Sequence, residues 1–233
     1  MADRKLLRLS ATLFVIGALV STVEGVLQPR QANPNIHLAK FAEIAHSVDW
    51  TAIQLLEFVG VAVFLAGLLV LYFALGETSG TPRWLGVFGA IAAGVTLVLT
   101  GVHDAVFGVA LKQAVDAWVS APAAEQSIRF ASAEAIAWLE WGVASYQAFM
   151  YGLALLLLGL VIVWTARVPR PIGYLMGLDG IAFLVQGWVF GTQGYPATLL
   201  VPKDLEIVLR VALIIWLLIV AWRRKESVQA IPG

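Results

Sequence analysis

The chain has 233 residues, of which 60% are hydrophobic and only 13% are charged, and its mean hydropathy is +0.85. Because a soluble domain carries about 25% charged residues, this composition excludes a water-soluble globular protein, and nine Trp and eleven Phe exclude a disordered chain. The formal net charge is zero and cysteine is absent, so we expect no nucleic-acid partner and exclude disulfides and thiolate metal sites.

Six apolar segments reach the length of about 20 residues that a helix needs to cross a bilayer. In chain order they are residues 6–27, 51–75, 84–111, 139–166, 172–191 and 205–222. Backbone polar groups inside a bilayer must be satisfied within a helix or a closed barrel, and the sequence lacks the alternating segments of a barrel. All nine prolines lie between these segments or at their ends. The sequence therefore predicts one all-α transmembrane domain over residues 1–233, a six-helix bundle of the cell membrane.

Basic residues predict the orientation of this bundle. If the N-terminus is cytoplasmic, nine basic residues at span ends and in connections lie on the cytoplasmic side and five lie on the opposite side. Because lysine and arginine accumulate in cytoplasmic loops, we expect both termini in the cytoplasm. The first span has the basic start of a signal peptide, but residues 19–24 offer no A-x-A cleavage site, so we expect it to be retained.

Residues 113–138, between the third and fourth spans, mix charged with apolar side chains. This pattern is typical of an amphipathic helix that lies at a membrane surface, and Pro122 suits the first turn of a helix. We therefore expect an amphipathic segment on the outer surface between spans three and four.

Two connections between spans resemble each other in sequence. Residues 82–86, PRWLG, join the second and third spans, and residues 169–173, PRPIG, join the fourth and fifth. The helix before each connection carries two glycines seven residues apart, which places each pair on one helix face and permits close packing. These pairs are Gly60 with Gly67 and Gly152 with Gly159. The pattern suggests either a parallel internal repeat or features that membrane helices commonly share. The glycines suit close packing either inside the bundle or between copies of a homo-oligomer.

The PRWLG turn at residues 82–86 resembles one found in an uncharacterised family of bacterial polytopic membrane proteins, which also tend to repeat it. The resemblance covers the two turns and their flanks, and the second turn departs from it because Pro171 stands in place of Trp. It implies a protein of the bacterial cytoplasmic membrane and brings no known reaction or site residue.

Ionisable residues inside a bilayer are costly, which makes them the first candidates for function. At a rise of about 1.5 Å per residue, five of the six spans bring such residues to the same outer third of the bilayer. They are Glu24, Glu57, His103, Asp104, Glu140, Glu206 and Arg210. The inner half carries only Asp179, with Gln186 nearer the outer side. This asymmetry predicts a polar pocket at the outer ends of the helices.

Each of these residues also has a plainer interpretation. Glu24, Glu140 and Glu206 suit the level of the lipid headgroups, where a charge costs little. Glu206 and Arg210 stand four residues apart, the spacing of an ion pair within one helix. Glu57 and Arg210 have apolar sequence on both sides, so we expect them to be buried with a partner, and Arg210 is a candidate partner for Glu57.

His103 and Asp104 form the next candidate site. A histidine beside a carboxylate relays protons or binds a metal, or it simply hydrogen-bonds a loop at a helix end. His37 and His46 in the first outer loop are further candidates. Because no spacing of these histidines matches a known metal-binding motif, we predict no metal site and no cofactor.

These residues favour a pocket for an apolar, lipid-like or isoprenoid molecule from the outer leaflet, with a few polar groups in apolar walls. The candidates for acid–base catalysis are Glu57, His103, Asp104 and Glu140. The candidates for ligand binding are Glu24, Gln147, Glu206 and Arg210, the last to hold an anionic headgroup or to fix a carboxylate. Whether the chain is an enzyme is left open.

Two other classes of function are alternatives. A non-catalytic membrane subunit would use residues 113–138 and the first outer loop to dock a partner protein. A small-solute transporter is less favoured, because transporter sites usually lie near the midplane and are built from broken helices. Membrane lipid is an expected partner in each case.

Overall fold

The computed structural model describes residues 2–76, 79–196 and 199–223. These residues form eight α-helices and one π-helical segment, and no strand, which confirms the all-α prediction. The helices are α1 (Arg4–Leu27), α2 (His37–His46), α3 (Trp50–Leu75), α4 (Gly80–Asp104), α5 (Leu111–Val119), α6 (Gln126–Thr165), α7 (Arg170–Gln193) and α8 (Leu200–Trp222), and the π-helical segment Ala105–Ala110 joins α4 to α5.

Six helices are long and apolar enough to cross a membrane, as the sequence predicts. They are α1, α3, the continuous rod that runs from α4 through the π-helical segment to α5, α6, α7 and most of α8. All six begin earlier in the chain than predicted. In α4 and α7 the reason is that Pro82 and Pro171 lie inside the first turn of the helix. Proline lacks a backbone N–H. It is tolerated there because N–H groups in the first turn have no acceptor within the helix.

Two of these helices are much longer than a bilayer is thick. The rod Gly80–Val119 and helix α6 have 40 residues each, which is about 60 Å at ~1.5 Å per residue, against a hydrocarbon core of about 30 Å. Residues 113–138 comprise most of α5, a turn and the first part of α6. We call them the projecting ends of the two rods, and their position at the outer membrane surface stays a prediction. No proline or glycine lies between Gln126 and Gly142, so nothing ends α6 before the fourth span.

The projecting ends form a small second core together with α2. Its buried members are Phe41, Ile44, Trp50, Leu111, Val115, Ala133 and Ala137. Part of the apolar face of residues 113–138 thus packs against the chain itself, whereas Val119 and Ile128 are exposed. This packing places α2 beside the ends of α5 and α6, where burial of apolar area stabilises it.

Glycines hold two pairs of helices in close contact. A Cβ atom added to Gly60 in α3 would lie 2.5 Å from Ser21 Oγ in α1, and one added to Gly152 in α6 would lie 2.5 Å from the carbonyl oxygen of Gly180 in α7. The second glycine of each pair contacts the same neighbouring helix, so all four pack inside the chain. Because α3 packs its glycines on the preceding span and α6 on the following span, the two sequence-matched connections are not equivalent in packing.

The two ends of the bundle differ. At one end, Arg4 Nη1 donates to the carbonyl oxygen of Arg223 at 3.2 Å, and Arg8 Nε donates to that of Ala221 at 3.1 Å. The start of α1 and the end of α8 therefore lie together. The opposite end carries α2, α5 and the turn between α5 and α6, and we name it the α2 end. Which end meets the cytoplasm stays a prediction.

Candidate functional site

A cavity of about 710 Å³ lies between the helices and reaches the surface at the α2 end. Exposed Arg30 and Asn33 line its mouth, and Tyr151 lines its inner part. Its volume falls within the range of about 300–1,000 Å³ that small-molecule sites occupy. Seven of the eight predicted site residues line this cavity, namely Glu24, Glu57, His103, Glu140, Gln147, Glu206 and Arg210.

Two polar clusters contribute residues to the cavity wall. The His103 cluster consists of Glu57, His103, Asp104, Glu140 and Tyr195. The Arg210 cluster consists of Asp179, Gln186, Glu206 and Arg210. The first is built from α3, α4, α6 and the loop after α7, and the second from α7 and α8. Each cluster therefore depends on the packing of several helices.

The imidazole of His103 lies between two carboxylates. Its Nε2 atom is 2.9 Å from Glu140 Oε1, and its Nδ1 atom is 3.2 Å from Asp104 Oδ1. The hydroxyl of Tyr195 donates to the same Glu140 oxygen at 3.0 Å. Glu140 is 1% exposed and His103 is 6% exposed, so these hydrogen bonds form away from water, where electrostatic interactions are stronger.

Glu57 and Asp104 complete the His103 cluster. Ligand-type atoms of Glu57, His103 and Asp104 all lie within 4.8 Å of one another. Glu57 is half-buried and lines the cavity, whereas Asp104 is 8% exposed and lies behind the wall. Among the residues that the structure describes, these three form the group whose ligand atoms are close enough together to hold a metal ion.

The π-helical segment Ala105–Ala110 directly follows the two α4 members of the cluster. Its wider turns change the usual hydrogen-bond pattern of the helix. The carbonyl oxygens of Phe107 and Gly108 accept hydrogen bonds from Trp50 Nε1 at 3.0 Å and from Thr51 Oγ1 at 2.8 Å. The first turn of α3 is therefore fixed against this segment, which sets the spacing between the α3 and α4 members of the cluster.

The guanidinium of Arg210 is surrounded by carboxylates. Its Nη2 atom is 2.5 Å from Glu206 Oε1, which confirms the predicted ion pair within α8, and its Nε atom is 4.0 Å from Asp179 Oδ2. Gln186 Nε2 donates to the other Glu206 oxygen at 2.7 Å. Asp179, which the sequence places apart from the other ionisable residues, is fully buried and belongs to this cluster.

Three aromatic rings cover the same guanidinium. The ring centroids of Phe64, Tyr151 and Phe183 lie 5.2, 5.7 and 5.3 Å from Arg210 Cζ. Ring faces attract a cation at such distances. Because rings and two carboxylates already surround Arg210, this geometry favours its predicted role of fixing carboxylates over that of holding an anionic headgroup.

Glu24 and Gln147 also face the cavity. Glu24 is 6% exposed, and its Oε1 atom has no hydrogen-bond partner within the described ranges. Gln147 Nε2 donates to Thr100 Oγ1 at 2.9 Å and so joins α6 to α4 beside the cavity. A ligand with a hydrogen-bond donor would therefore find an acceptor at Glu24.

The other two histidines lie in different surroundings. The Nδ1 atom of His37 is 3.0 Å from Glu134 Oε1, and its ring contacts Phe41 and Trp138. His46 is exposed, and its Nδ1 donates to the carbonyl oxygen of Ala42. In the described part of the chain, His103 is the one histidine that belongs to a possible metal-binding group.

Hydrogen bonds fix the loop after α1 over the cavity mouth. Asn35 Nδ2 donates to the carbonyl oxygen of Gln193 at 3.2 Å, and the N–H of Tyr195 donates to Asn35 Oδ1 at 2.8 Å. Glu43 of α2 accepts from Lys40 Nζ at 2.6 Å and from the backbone N–H groups of Gln31 and Ala32 in this loop at 2.7 and 3.1 Å. Burial alone would raise the pKa of Glu43, but these hydrogen bonds outweigh it and hold the pKa below its usual value.

Two site residues have weaker signals in the sequence. Tyr195 follows the fifth span, and aromatic residues are common at any membrane interface. The sequence pattern therefore does not indicate its hydrogen bond to Glu140. Its burial, and then the nearby Glu140 carboxylate, raise the pKa of the hydroxyl well above its usual value, so the group stays a proton donor. Asp179 does have a signal, since Gln186 stands seven residues further on the same helix face.

Comparisons with protein-family models, with curated proteins and with solved structures find no match. The resemblance of residues 82–86 to a turn of bacterial membrane proteins therefore stays a prediction. Function is inferred from the cavity and its two polar clusters.

Proposed function

We propose that this protein is a multi-pass protein of the cell membrane that binds an apolar, lipid-like molecule in its cavity and exchanges protons with it. An isoprenoid is one member of this class of molecules. The observation that carries the proposal is the buried hydrogen-bonded chain Tyr195–Glu140–His103–Asp104 beside a cavity of about 710 Å³.

The walls of the cavity suit an apolar ligand. Between the two polar clusters the lining includes Val61, Ala144, Ala148, Phe183 and Phe190. Apolar walls with a few convergent polar groups are the common design of small-molecule sites, because the walls supply affinity and the polar groups fix orientation. Burial of the ligand's hydrocarbon would contribute about 25 cal/mol per Å².

Glu57 is the member of the His103 cluster placed to meet a ligand, because it lines the cavity and is only half-buried. The ligand-type atoms of His103 and Glu57 lie within 4.8 Å of each other, a separation that permits proton exchange through one water molecule. Asp104 and Glu140 hold the imidazole from both sides and stabilise its charged form. Tyr195 in turn stabilises the Glu140 carboxylate through its hydroxyl.

The charges inside the mouth favour a neutral or cationic polar group on the ligand. Glu24, Glu57 and Glu140 line the wall. Of the basic residues in the lining, Arg210 is paired with Glu206, Lys40 is paired with Glu43, and Arg30 is exposed at the mouth. An anionic group would meet like charges, which oppose binding. A long-chain alcohol or amine therefore fits this lining better than a fatty acid or a phosphate ester.

The partner-docking alternative receives less support from the geometry. Val115, Ala133 and Ala137 of residues 113–138 are buried in the second core. Part of the surface that a partner would use is therefore covered, although Ile128 and Trp138 remain exposed. The transporter alternative is tested by solute flux in vesicles that contain the purified protein, and flux without any bound apolar molecule would favour it over binding.

The experiment that tests the proposal compares molecules that remain bound after purification. Organic extracts of the purified protein and of the source membrane are analysed by mass spectrometry. We expect one apolar species, enriched in the protein extract to about one molecule per chain. The Ala148→Phe variant fills the cavity, so the bound amount of this species should fall at least about tenfold. A tenfold loss of affinity corresponds to about 1.4 kcal/mol of binding free energy.

The matched control is Ala52→Phe, which adds the same volume at an exposed position of α3 outside the cavity lining. Its extract should match that of the unmodified protein. If no species is enriched, or if both variants retain it equally, the cavity is not its binding site.

A further inference from the structure

The His103 cluster carries more negative than positive charge. It brings the carboxylates of Glu57, Asp104 and Glu140 around one imidazole. Even a doubly protonated imidazole would balance only one of the two buried carboxylates that flank it, those of Asp104 and Glu140. Buried charges need a partner, because desolvation of an unbalanced charge is unfavourable. Arg210 does not fill this role alone, since Glu206 and Asp179 already surround its guanidinium.

The two sides of the imidazole place a second requirement on the cluster. Nε2 is 2.9 Å from Glu140 Oε1, so an N–H on this atom donates to the carboxylate. Nδ1 of the same neutral tautomer then points a lone pair at Asp104 Oδ1, 3.2 Å away. Two acceptors at this distance repel unless a second imidazole proton or a metal cation lies between them.

Asp104 supplies an independent indication of a missing cation. The residue is 8% exposed, and its Oδ2 atom is buried with no hydrogen-bond partner among the described residues. Buried polar atoms in folded proteins nearly always have a partner, and one that lacks it often marks a site for an ion. This atom belongs to a carboxylate that already faces His103 and Glu57.

We infer that His103 Nδ1, the Asp104 carboxylate and the Glu57 carboxylate bind one divalent transition-metal ion of the Zn²⁺, Fe²⁺ or Mn²⁺ class. The inference stands on the geometry of the His103 cluster and does not require an apolar molecule in the cavity. Imidazole and carboxylate are ligands that these ions accept.

The distances agree with such a site. Ligand atoms bound to one ion at about 2.1 Å lie about 3.0–3.4 Å apart, and the Nδ1–Oδ1 distance of His103 and Asp104 is 3.2 Å. Glu57 lies within 4.8 Å and closes the remaining gap by rotation of its long side chain. Three protein ligands leave a coordination position for water or a ligand, as in catalytic metal sites.

The residues behind the imidazole match the outer shell of a metal site. A histidine that binds a metal usually donates its other N–H to a carboxylate, which fixes the ring and raises its basicity. Glu140 holds that position on His103, and Tyr195 donates to Glu140 in turn. The hydrogen bonds that hold the imidazole thus also orient Nδ1 toward an ion, which would take the place of a proton on that atom.

The test uses full-length, tag-free protein in nanodiscs, stripped with a chelator and titrated with ZnCl₂ alone. We expect saturable binding of one Zn²⁺ per chain, measured by calorimetry and by metal analysis after dialysis. His103→Gln and Asp104→Asn should each weaken binding at least about tenfold, as should the outer-shell variant Glu140→Gln. His46→Gln is the matched control, because this histidine is exposed and lies outside the cluster, and it should bind as the unmodified protein does.

A readout on the unmodified protein keeps the test independent of folding in the variants. Co²⁺ in the site should give an absorption spectrum of nitrogen and oxygen ligands that Zn²⁺ displaces. The absence of saturable Zn²⁺ and Co²⁺ binding would overturn the inference and would show that protons balance the carboxylates. Loss of binding in His46→Gln with retention in His103→Gln would overturn it as well. Neither result bears on the extraction experiment with Ala148→Phe, so failure of the metal site and failure of ligand binding are distinguishable.

Discussion

His103 Nε2 and Glu140 Oε1 lie 2.9 Å apart and join α4 to α6 inside the cavity wall. The two residues are 37 positions apart in the chain and belong to the two rods of 40 residues each. Their contact therefore links the packing of the longest helices to the chemistry of the site.

Removal of Glu140 should be strongly destabilising. Glu140→Ala leaves His103 Nε2 and the Tyr195 hydroxyl without their shared acceptor in a buried position. Loss of one partner from a buried charged pair costs about 3–5 kcal/mol. Thermal denaturation in nanodiscs should show a clearly lower melting temperature.

The control is Glu125→Ala, which removes a glutamate paired with Arg129 at an exposed position of the same end. Exposed pairs of this kind contribute about 0–1 kcal/mol, so the melting temperature should hardly change. Equal effects of the two substitutions would mean that the Glu140 hydrogen bonds do not stabilise the fold.

Arg210 and Asp179 should behave as a coupled pair. Arg210→Met leaves the fully buried Asp179 without its cationic neighbour at 4.0 Å, which we expect to cost about 3 kcal/mol or more. Asp179→Asn in the Arg210→Met background should recover part of this loss, because the uncompensated charge is gone. A double-mutant cycle measures the coupling, and strictly additive effects would show that the two side chains do not interact.

Close packing of α6 on α7 should depend on Gly152. A Cβ atom in Gly152→Ala would lie 2.5 Å from the carbonyl oxygen of Gly180, so the helices must separate, at a cost of about 1–3 kcal/mol. Gly142→Ala in the same helix is the control, because its Cβ would meet nothing within 4 Å and alanine favours the helix by about 1 kcal/mol. Comparable destabilisation by both would contradict the close contact.

The loop over the cavity mouth should lose stability in acid. The pKa of Glu43 is held below its usual value of 4.5, so its stabilising contribution is complete above that value and is lost as pH falls through the lower, folded-state pKa. The difference in melting temperature between the unmodified protein and Glu43→Gln should thus be constant from about pH 7 to about pH 5 and shrink below about pH 4.5. A difference that stays constant into acid would place Glu43 outside this hydrogen-bonded network.

The membrane architecture was accessible from the sequence because uninterrupted apolar segments have few structural solutions in lipid. The convergence of Glu57, His103 and Glu140 also followed from counting residues along the spans, since helix rise converts sequence position into depth. What counting cannot give is the direction in which each side chain points around its helix. Asp179 shows this. Its predicted depth placed it apart from the other ionisable residues, yet its side chain on α7 lies 4.0 Å from Arg210 on α8.

Tertiary contacts decided the features that the sequence did not give. Residues 113–138 carry an amphipathic pattern, and such a pattern packs equally well on a membrane or on α2, where the structure places it. Tyr195 meets Glu140 only because the loop after α7 is fixed by Asn35, 160 residues earlier in the chain. No local propensity encodes a contact over such a separation.

The most direct measurement is photo-crosslinking of the purified protein in nanodiscs with a long-chain alcohol that carries a diazirine group. Labelled peptides are then mapped by mass spectrometry. We expect label on cavity-lining residues such as Ala148 and Phe190, competed by unlabelled long-chain alcohol and lost in Ala148→Phe. Label confined to exposed side chains of α6 such as Leu153 and Leu160, and unchanged in that variant, would contradict an apolar ligand site in the cavity.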